Sequence, residues 1–496
     1  MREGARGCPG VRRPGGAFRR PGGGPQGAAG AGLGRYRTVT TETPVLTVEE
    51  VAQATGAQGV WGDPRTPLLS VHTDSRLCRP GALFVALPGP RQDGHDFVVD
   101  AARRGAVAAL VSRPVRAPLA LVHVEDTRRA LLPLAAAWRA RFSATVVGVT
   151  GSVGKSTTVQ MVAAVLRTGF STWASRPEWN AELGVPLAVF GLRPEHRYAV
   201  VELAMRGLGQ IGQLCHVVRP TVGVVTRVGA VHTEQLGSVD QVAWAKAELV
   251  QALPVEGVAV LNGDDPRVRA MAAHTRARVV LYGLGHDCTV RAEEVEVTPT
   301  GVRFRVRTEQ GVARGELAIP APALVSNALA ALAVGIHAGV PLRDAVEALR
   351  EFRPPPMRLE IHRTSQDVLV VNDTYNASPL SVEAALEAVR ALRAGRRVVA
   401  VLGEMRELGP LHEAAHREVA RRCVEEGVGF LLAVGEGARE LAEAARELGL
   451  PQVQWVADAR AAAEVVAVQV APGDLVLVKG SRAVGLEHVV EVLRAR

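Results

Sequence analysis

Lysine is nearly absent. Of 58 basic residues in the 496-residue chain, 55 are arginine and only Lys155, Lys246 and Lys479 are lysine. Asparagine is almost as rare, with Asn180, Asn262, Asn327, Asn372 and Asn376. A bias that turns generic surface cations into arginine spares lysine where a compact, deprotonatable ammonium on a flexible stem is required. These eight positions are therefore candidates before any motif is considered. Cysteine is scarce too: Cys8, Cys78, Cys215, Cys288 and Cys423 are odd in number, widely spaced and never in a C-x-x-C pair. That excludes a disulfide framework and a zinc knuckle, and it points to the reducing cytoplasm. No apolar run approaches the roughly 18 residues that span a bilayer. The densest, 323–340, is broken by Ser326, Asn327 and His337, so no membrane span is expected.

The formal charge of +8 invites a nucleic-acid reading, but residues 1–37 hold eight Arg and one Glu and so carry almost all of it. The same stretch has twelve Gly, four Pro and almost no large apolar residue. It cannot bury enough surface to offset ordering entropy, which predicts a disordered tail over 1–42. It also lacks the apolar core of a signal peptide. RNA binding, if any, is confined to that tail. With 47% apolar and 22% charged residues, the remainder is expected to be soluble and globular, and its length suits about three domains.

Residues 43–127 mix short strands with a helix opened by a Thr47-x-x-Glu50 capping box, then a turn-rich stretch, which predicts a small α/β module. From Ala144 the pattern is apolar strand, Gly-rich turn, helix and strand again, as in a parallel sheet covered on both faces. A hairpin over 289–308 and two helices complete this central unit, 128–353. Pro354-Pro355-Pro356 marks a linker, and the alternation restarts over 354–496 as a second doubly wound, Rossmann-like unit.

Gly148-Val-Thr-Gly151-Ser-Val-Gly154-Lys155-Ser156-Thr157 follows a strand and opens a helix, the context in which backbone N–H groups and the helix dipole hold phosphates. It is a shorter variant of the usual P-loop spacing, since position 149 is Val. Lys155 would reach the outer phosphates and Ser156 would offer its hydroxyl to Mg²⁺. Glu202, at the C-terminal end of another apolar run, suits the same cation, or else is neutralised by a neighbouring Arg. His232 lies just past the next strand and would face the same crevice, although a lone His is often structural. Lys246 lies on a helix opened by Ser238. A buried lysine there could act as a base or take up CO₂ as a carbamate, an anionic metal ligand, and arginine can do neither. Arg358, Asp373, Asn376 and Lys479 sit at strand ends or beside the linker, where each is equally a turn or cap residue.

Taken together, these residues resemble the Mur ligase family over nearly the whole chain after the tail. The matching signatures are Thr73-Asp-Ser-Arg76 with Gly89 and His95, Thr150-Gly-Ser-Val-Gly-Lys-Ser-Thr157, Glu202, Gly229-Ala-Val-His232, Ala245-Lys-Ala-Glu248 and Asn262-Gly-Asp-Asp265. Met357-Arg-Leu-Glu360, Asp373-Thr-Tyr-Asn-Ala-Ser-Pro379, Gly403-Glu-Met-Arg-Glu-Leu-Gly409 and Lys479-Gly-Ser-Arg482 follow in order. The Asp-Thr-Tyr-Asn form resembles the MurF type, which adds D-alanyl-D-alanine to UDP-N-acetylmuramoyl tripeptide. The Asp-Asn-Pro-Arg motif of the sister ligase that adds the third residue is absent. Glu178, Ala181 and Arg227 depart from positions that are often Asn.

The resemblance implies an α/β chain of three domains: an N-terminal UDP-sugar module, a central P-loop ATPase domain and a Rossmann-like C-terminal domain. It implies that Gly151, Ser152, Gly154, Lys155, Ser156 and Thr157 bind ATP, with Ser156 and Glu202 at a first Mg²⁺. His232 and a carbamylated Lys246 would serve a second, Asn327 would contact adenine, and Arg358 and Asp373 would close onto the nucleotide. Ser75 and Arg76 belong to the UDP-sugar module, and Asn180, Tyr375, Asn376 and Lys479 lie toward the peptide substrate. Lys155, His232 and Lys246 carry the catalytic expectation. A cytoplasmic, monomeric amide ligase working through an acyl phosphate follows. Its rivals are another Mur or folylpolyglutamate-type ligase, and a nucleotide-binding regulatory protein that uses the basic tail.

Overall fold

The structure, a computed structural model, describes residues 44–495, so the tail expected over 1–42 lies outside the described residues. Besides a two-stranded pair of Leu46–Thr47 with Pro67–Leu68, the apolar runs build three larger sheets in chain order. The first has five strands, Gly59–Trp61, Ala120–His123, Ala106–Val111, Ala82–Val85 and Ser70–His72 in spatial order, parallel except at the Gly59–Trp61 edge. The Thr47 capping box forms with both reciprocal bonds and opens the helix Val48–Thr55.

The second sheet has nine strands. Its parallel part runs Thr172–Ala174, Tyr198–Glu202, Thr145–Thr150, Val222–Val225, Val258–Asn262 and Arg278–Gly283. The expected hairpin, Val290–Thr298 with Gly301–Thr308, forms and is joined by a third strand, Gly311–Leu317. Its first strand pairs in parallel with Arg278–Gly283, so the parallel sheet continues into an antiparallel three-stranded edge. The third sheet, of six strands, is parallel apart from the hairpin of Glu360–Arg363 with Leu369–Asp373.

One continuous apolar cluster joins the first sheet to one face of the second through the helices Thr127–Arg139 and Gly184–Phe190. At its centre Trp138 is fully buried and meets Phe190 edge to face, with 6.0 Å between ring centroids. The opposite face of the second sheet is covered by Lys155–Arg167 and Ala323–His337, the latter being the densest apolar segment of the sequence. Among the described residues no helix is long and apolar enough to cross a membrane.

Candidate active site

The strand Thr145–Thr150 lies between Tyr198–Glu202 and Val222–Val225, all parallel, so their C-terminal ends open into one crevice. The glycine-rich loop leaves the middle strand here. Gly151 has φ +147°, and a Cβ on it would lie 1.8 Å from Thr226 Oγ1, so both conformation and space require glycine. Gly154, at φ +85°, caps the helix Lys155–Arg167 without any side-chain acceptor, which leaves the first-turn N–H groups for an anion. The loop is strapped to the neighbouring segment: Ser152 N–H donates to Arg227 O (2.6 Å), and Thr226 Oγ1 donates to Val153 O (2.6 Å). Ser152 also exchanges hydroxyl hydrogen bonds with the Gly229 backbone (3.2 and 3.0 Å). Its N–H and hydroxyl are thus both engaged within the protein, and in this structure Ser152 braces the loop.

Lys155 Nζ folds back onto the carbonyls of Gly151 (3.0 Å) and Ser152 (3.4 Å). Burial holds its pKa below the usual lysine value, with Glu202 opposing and Arg358 adding to the shift. Ser156 Oγ donates to Glu202 Oε2 at 2.5 Å, and Asn180 Nδ2 donates to Glu202 Oε1 at 2.9 Å. Glu202, 1% exposed, is therefore held by a hydroxyl and an amide, and among the described residues no Arg lies within ion-pair distance of it. The C-terminal domain enters the same point. Arg358 Nη2 donates to Ser156 Oγ at 2.8 Å while its guanidinium lies 4.0 Å from the Tyr375 ring centroid. The Tyr375 hydroxyl donates to Pro177 O (3.3 Å), the same carbonyl that accepts Asn180 Nδ2 (3.0 Å).

Lys246 is 2% exposed, and among the described residues no carboxylate lies within ion-pair distance of it. Burial, with repulsion from Lys155, sets its pKa well below the ordinary lysine value. His232 has φ +54° and is pushed toward its neutral form by burial; Lys246 and Lys155 reinforce the shift and Glu407 opposes it. Its Nδ1 contacts the Glu407 carboxylate, which comes from the C-terminal domain. Lys155, His232 and Lys246 thus feel one another's charge in one cleft.

Asn327 packs on the phosphate loop, where a Cβ on Gly154 would lie 2.7 Å from its Oδ1. Thr157 is buried on the first turn of the helix. Lys479 Nζ, 2% exposed, donates to Asp373 Oδ2 (2.5 Å) and Asn376 O (2.8 Å), while Asp373 Oδ1 accepts Leu359 N–H (3.2 Å). These contacts tie the 373–376 turn to the segment that carries Arg358. Ser75 Oγ donates to Asp100 Oδ2 (2.8 Å), and Arg76 pairs with Asp74 on the exposed surface of the first sheet's module (2.7 Å). Neither joins the cluster around Lys155.

Pro177, Thr226 and Glu407 were not singled out in the sequence. Pro177 and Thr226 act through a carbonyl and a strap, which leave no compositional trace. Glu407 lies inside the Gly403–Gly409 signature, which matched the family as a whole without marking any one of its residues.

The chain matches the Mur ligase middle domain over residues 149–335, the Mur ligase glutamate ligase domain over 357–482 and the Mur ligase family catalytic domain over 69–139. It is 35% identical to the UDP-N-acetylmuramoyl-tripeptide–D-alanyl-D-alanine ligase of Mycobacterium tuberculosis, covering 91% of this chain and 98% of that one. The enzyme of the same name from Bacillus subtilis is 32% identical, over 90% and 98%. Among solved structures, MurF from Acinetobacter baumannii superposes with a TM-score of 0.81 at 30% identity, over 91% and 99%. MurF from Thermotoga maritima in complex with ADP gives 0.75 at 28%, over 86% and 97%. The three family matches and the relatives covered over nearly their whole length agree: the chain belongs to the Mur ligase family.

Proposed function

We propose that the chain joins D-alanyl-D-alanine to UDP-N-acetylmuramoyl tripeptide, converting ATP to ADP and phosphate in peptidoglycan precursor synthesis. The carrying observation is the meeting of Lys155, the Ser156–Glu202 pair and Arg358 at one point, in a chain that spans nearly the full length of its relatives. Boundaries at 43–127, 128–353 and 354–496 assign nucleotide-sugar binding to the first sheet's module, ATP to the second and closure to the third. The reading takes the protein as a monomer, and the use of ATP and a nucleotide sugar suits the cytoplasm.

A carboxylate cannot be aminolysed directly, because oxide is too poor a leaving group. The tripeptide's terminal carboxylate attacks the γ-phosphorus of ATP, forming an acyl phosphate and releasing ADP. The dipeptide amine then adds to the acyl carbon, and the tetrahedral intermediate loses phosphate and a proton to leave the amide. Two anions must meet in the first step, and Lys155, the loop N–H groups and Arg358 offset that charge. Thr157 completes the turn that presents those N–H groups, and Asn327 would support the adenine side. The residues present fit Mg²⁺: Ser156 and Glu202 offer hard oxygens to one ion, and His232 with Lys246 as a carbamate would hold another. Bound there, the ions would neutralise the transferring phosphoryl group. A neutral Lys246 amine can add CO₂ with loss of one proton, which converts a costly buried cation into an anionic ligand.

The test is phosphate release coupled to UDP-N-acetylmuramoyl tripeptide. Release is expected with D-alanyl-D-alanine and not with single amino acids, and it is expected to survive removal of residues 1–37. Release driven by a single amino acid would assign the chain to another branch of the family.

A further inference from the structure

The turn that carries His232 is also held by another domain. Thr233 Oγ1 donates to Leu408 O (2.8 Å), Glu234 N–H donates to Glu407 O (3.3 Å), and the Glu407 carboxylate contacts His232 Nδ1. Gly409, at φ +52°, lies so close to Glu234 that a Cβ on it would sit 2.7 Å from the Glu234 Cα. The loop making these contacts is itself stiffened. His416 Nε2 accepts Met405 N–H (3.2 Å) while His416 Nδ1 donates to His412 O (2.8 Å), and Arg406 N–H donates to Ser481 Oγ (3.0 Å). His412, His416 and Glu440 stand close enough to suggest a metal site, but both His416 nitrogens are already engaged, so the cluster serves as this brace.

We propose that Glu407 is a positioning residue for His232: by docking its loop on the 232–234 turn, the C-terminal domain supplies the carboxylate that orients the imidazole. The proposal rests on reading His232 as a metal ligand. A ligating imidazole characteristically donates its second N–H to a carboxylate, which fixes ring orientation and raises ligand basicity. Here the carboxylate in contact with Nδ1 comes from across a domain boundary, so the second metal site gains its orienting group only when the domains are docked. Metal affinity and closure become one equilibrium.

The test uses the full chain with Mn²⁺ as the probe, titrated by electron paramagnetic resonance in the presence of ADP, alongside steady-state kinetics. Glu407→Ala is expected to weaken the His232-dependent Mn²⁺ site by about tenfold or more. It should lower kcat while leaving the KM for ATP within about twofold, and Glu407→Asp should recover part of both losses. Thr233→Val, which removes a docking bond without touching the imidazole, should weaken Mn²⁺ less than Glu407→Ala. Unchanged Mn²⁺ binding in Glu407→Ala, with His232→Ala abolishing the site, overturns the positioning role alone. A parent protein whose Mn²⁺ binding ignores His232→Ala overturns the metal reading beneath it, and the positioning role with it.

Discussion

A lysine that is 2% exposed with no carboxylate beside it among the described residues is expensive as a cation, since an unpaired buried charge costs several kcal/mol (about 3 to 5). Burial lowers the Lys246 pKa and so favours the neutral amine, a route that arginine lacks. Lys246→Arg is therefore expected to cut turnover by about a hundredfold or more although the formal charge is kept. Supplying ¹³C-bicarbonate to the parent should give a carbamate resonance that the variant lacks. Wild-type turnover in the variant would remove the carbamate from the mechanism. At this scale the sequence was informative because an extreme composition made rare residues conspicuous: Lys155, Lys246, Asn180 and Asn327 all fall in or beside the cleft. It was less informative where a side chain serves another side chain. Lys479 and Ser152 brace their loops, and nothing in their spacing separates bracing from binding.

Among the elements, the loop from Gly403 to Gly409 and the strand Ser70–His72 each depend on a buried neutral histidine. Burial lowers His416 and His72 to about 4 each. In the unfolded chain both protonate below about 6.5. A base whose folded value is depressed contributes fully above its unfolded value, and that contribution is lost as pH falls toward the folded one. Between pH 6.5 and 4, each histidine should remove roughly 3 kcal/mol of stability, about 1.4 kcal/mol per pH unit. Denaturant titrations across that range should show the decline, and His416→Gln should reduce its slope by about one proton. A variant with the parent slope would mean that His416 titrates normally. The long apolar strands were readable from the sequence, as were the capping box at Thr47 and the hairpin turn at Pro299–Gly301. Glu360–Arg363 and Val453–Val456 were not: four residues of mixed polarity become strands because a sheet edge is available, which is a tertiary effect.

Across the whole molecule, the contacts of Arg358 with Ser156 and of Tyr375 with Pro177 join two domains around the place where an acyl phosphate would form. Water must be kept from that species. Arg358→Lys keeps a positive charge but cannot lie flat on Tyr375 and reach Ser156 as a planar fork does. It is expected to raise the ratio of phosphate released to peptide product, measured by assaying both in one reaction. A ratio unchanged from the parent would place the water barrier elsewhere. The three-domain plan was visible in the sequence through the proline linker and the restarted alternation. The docking was not, because it depends on surfaces far apart in the chain. The burial of the lysines has a practical corollary. Lys246 and Lys479 are 2% exposed, and Lys155 lies half-buried under the phosphate loop. An amine-directed acylating reagent or crosslinker would find no lysine on the described surface outside that loop, so nucleotide occupancy alone would decide whether the side chains of this enzyme take up a label.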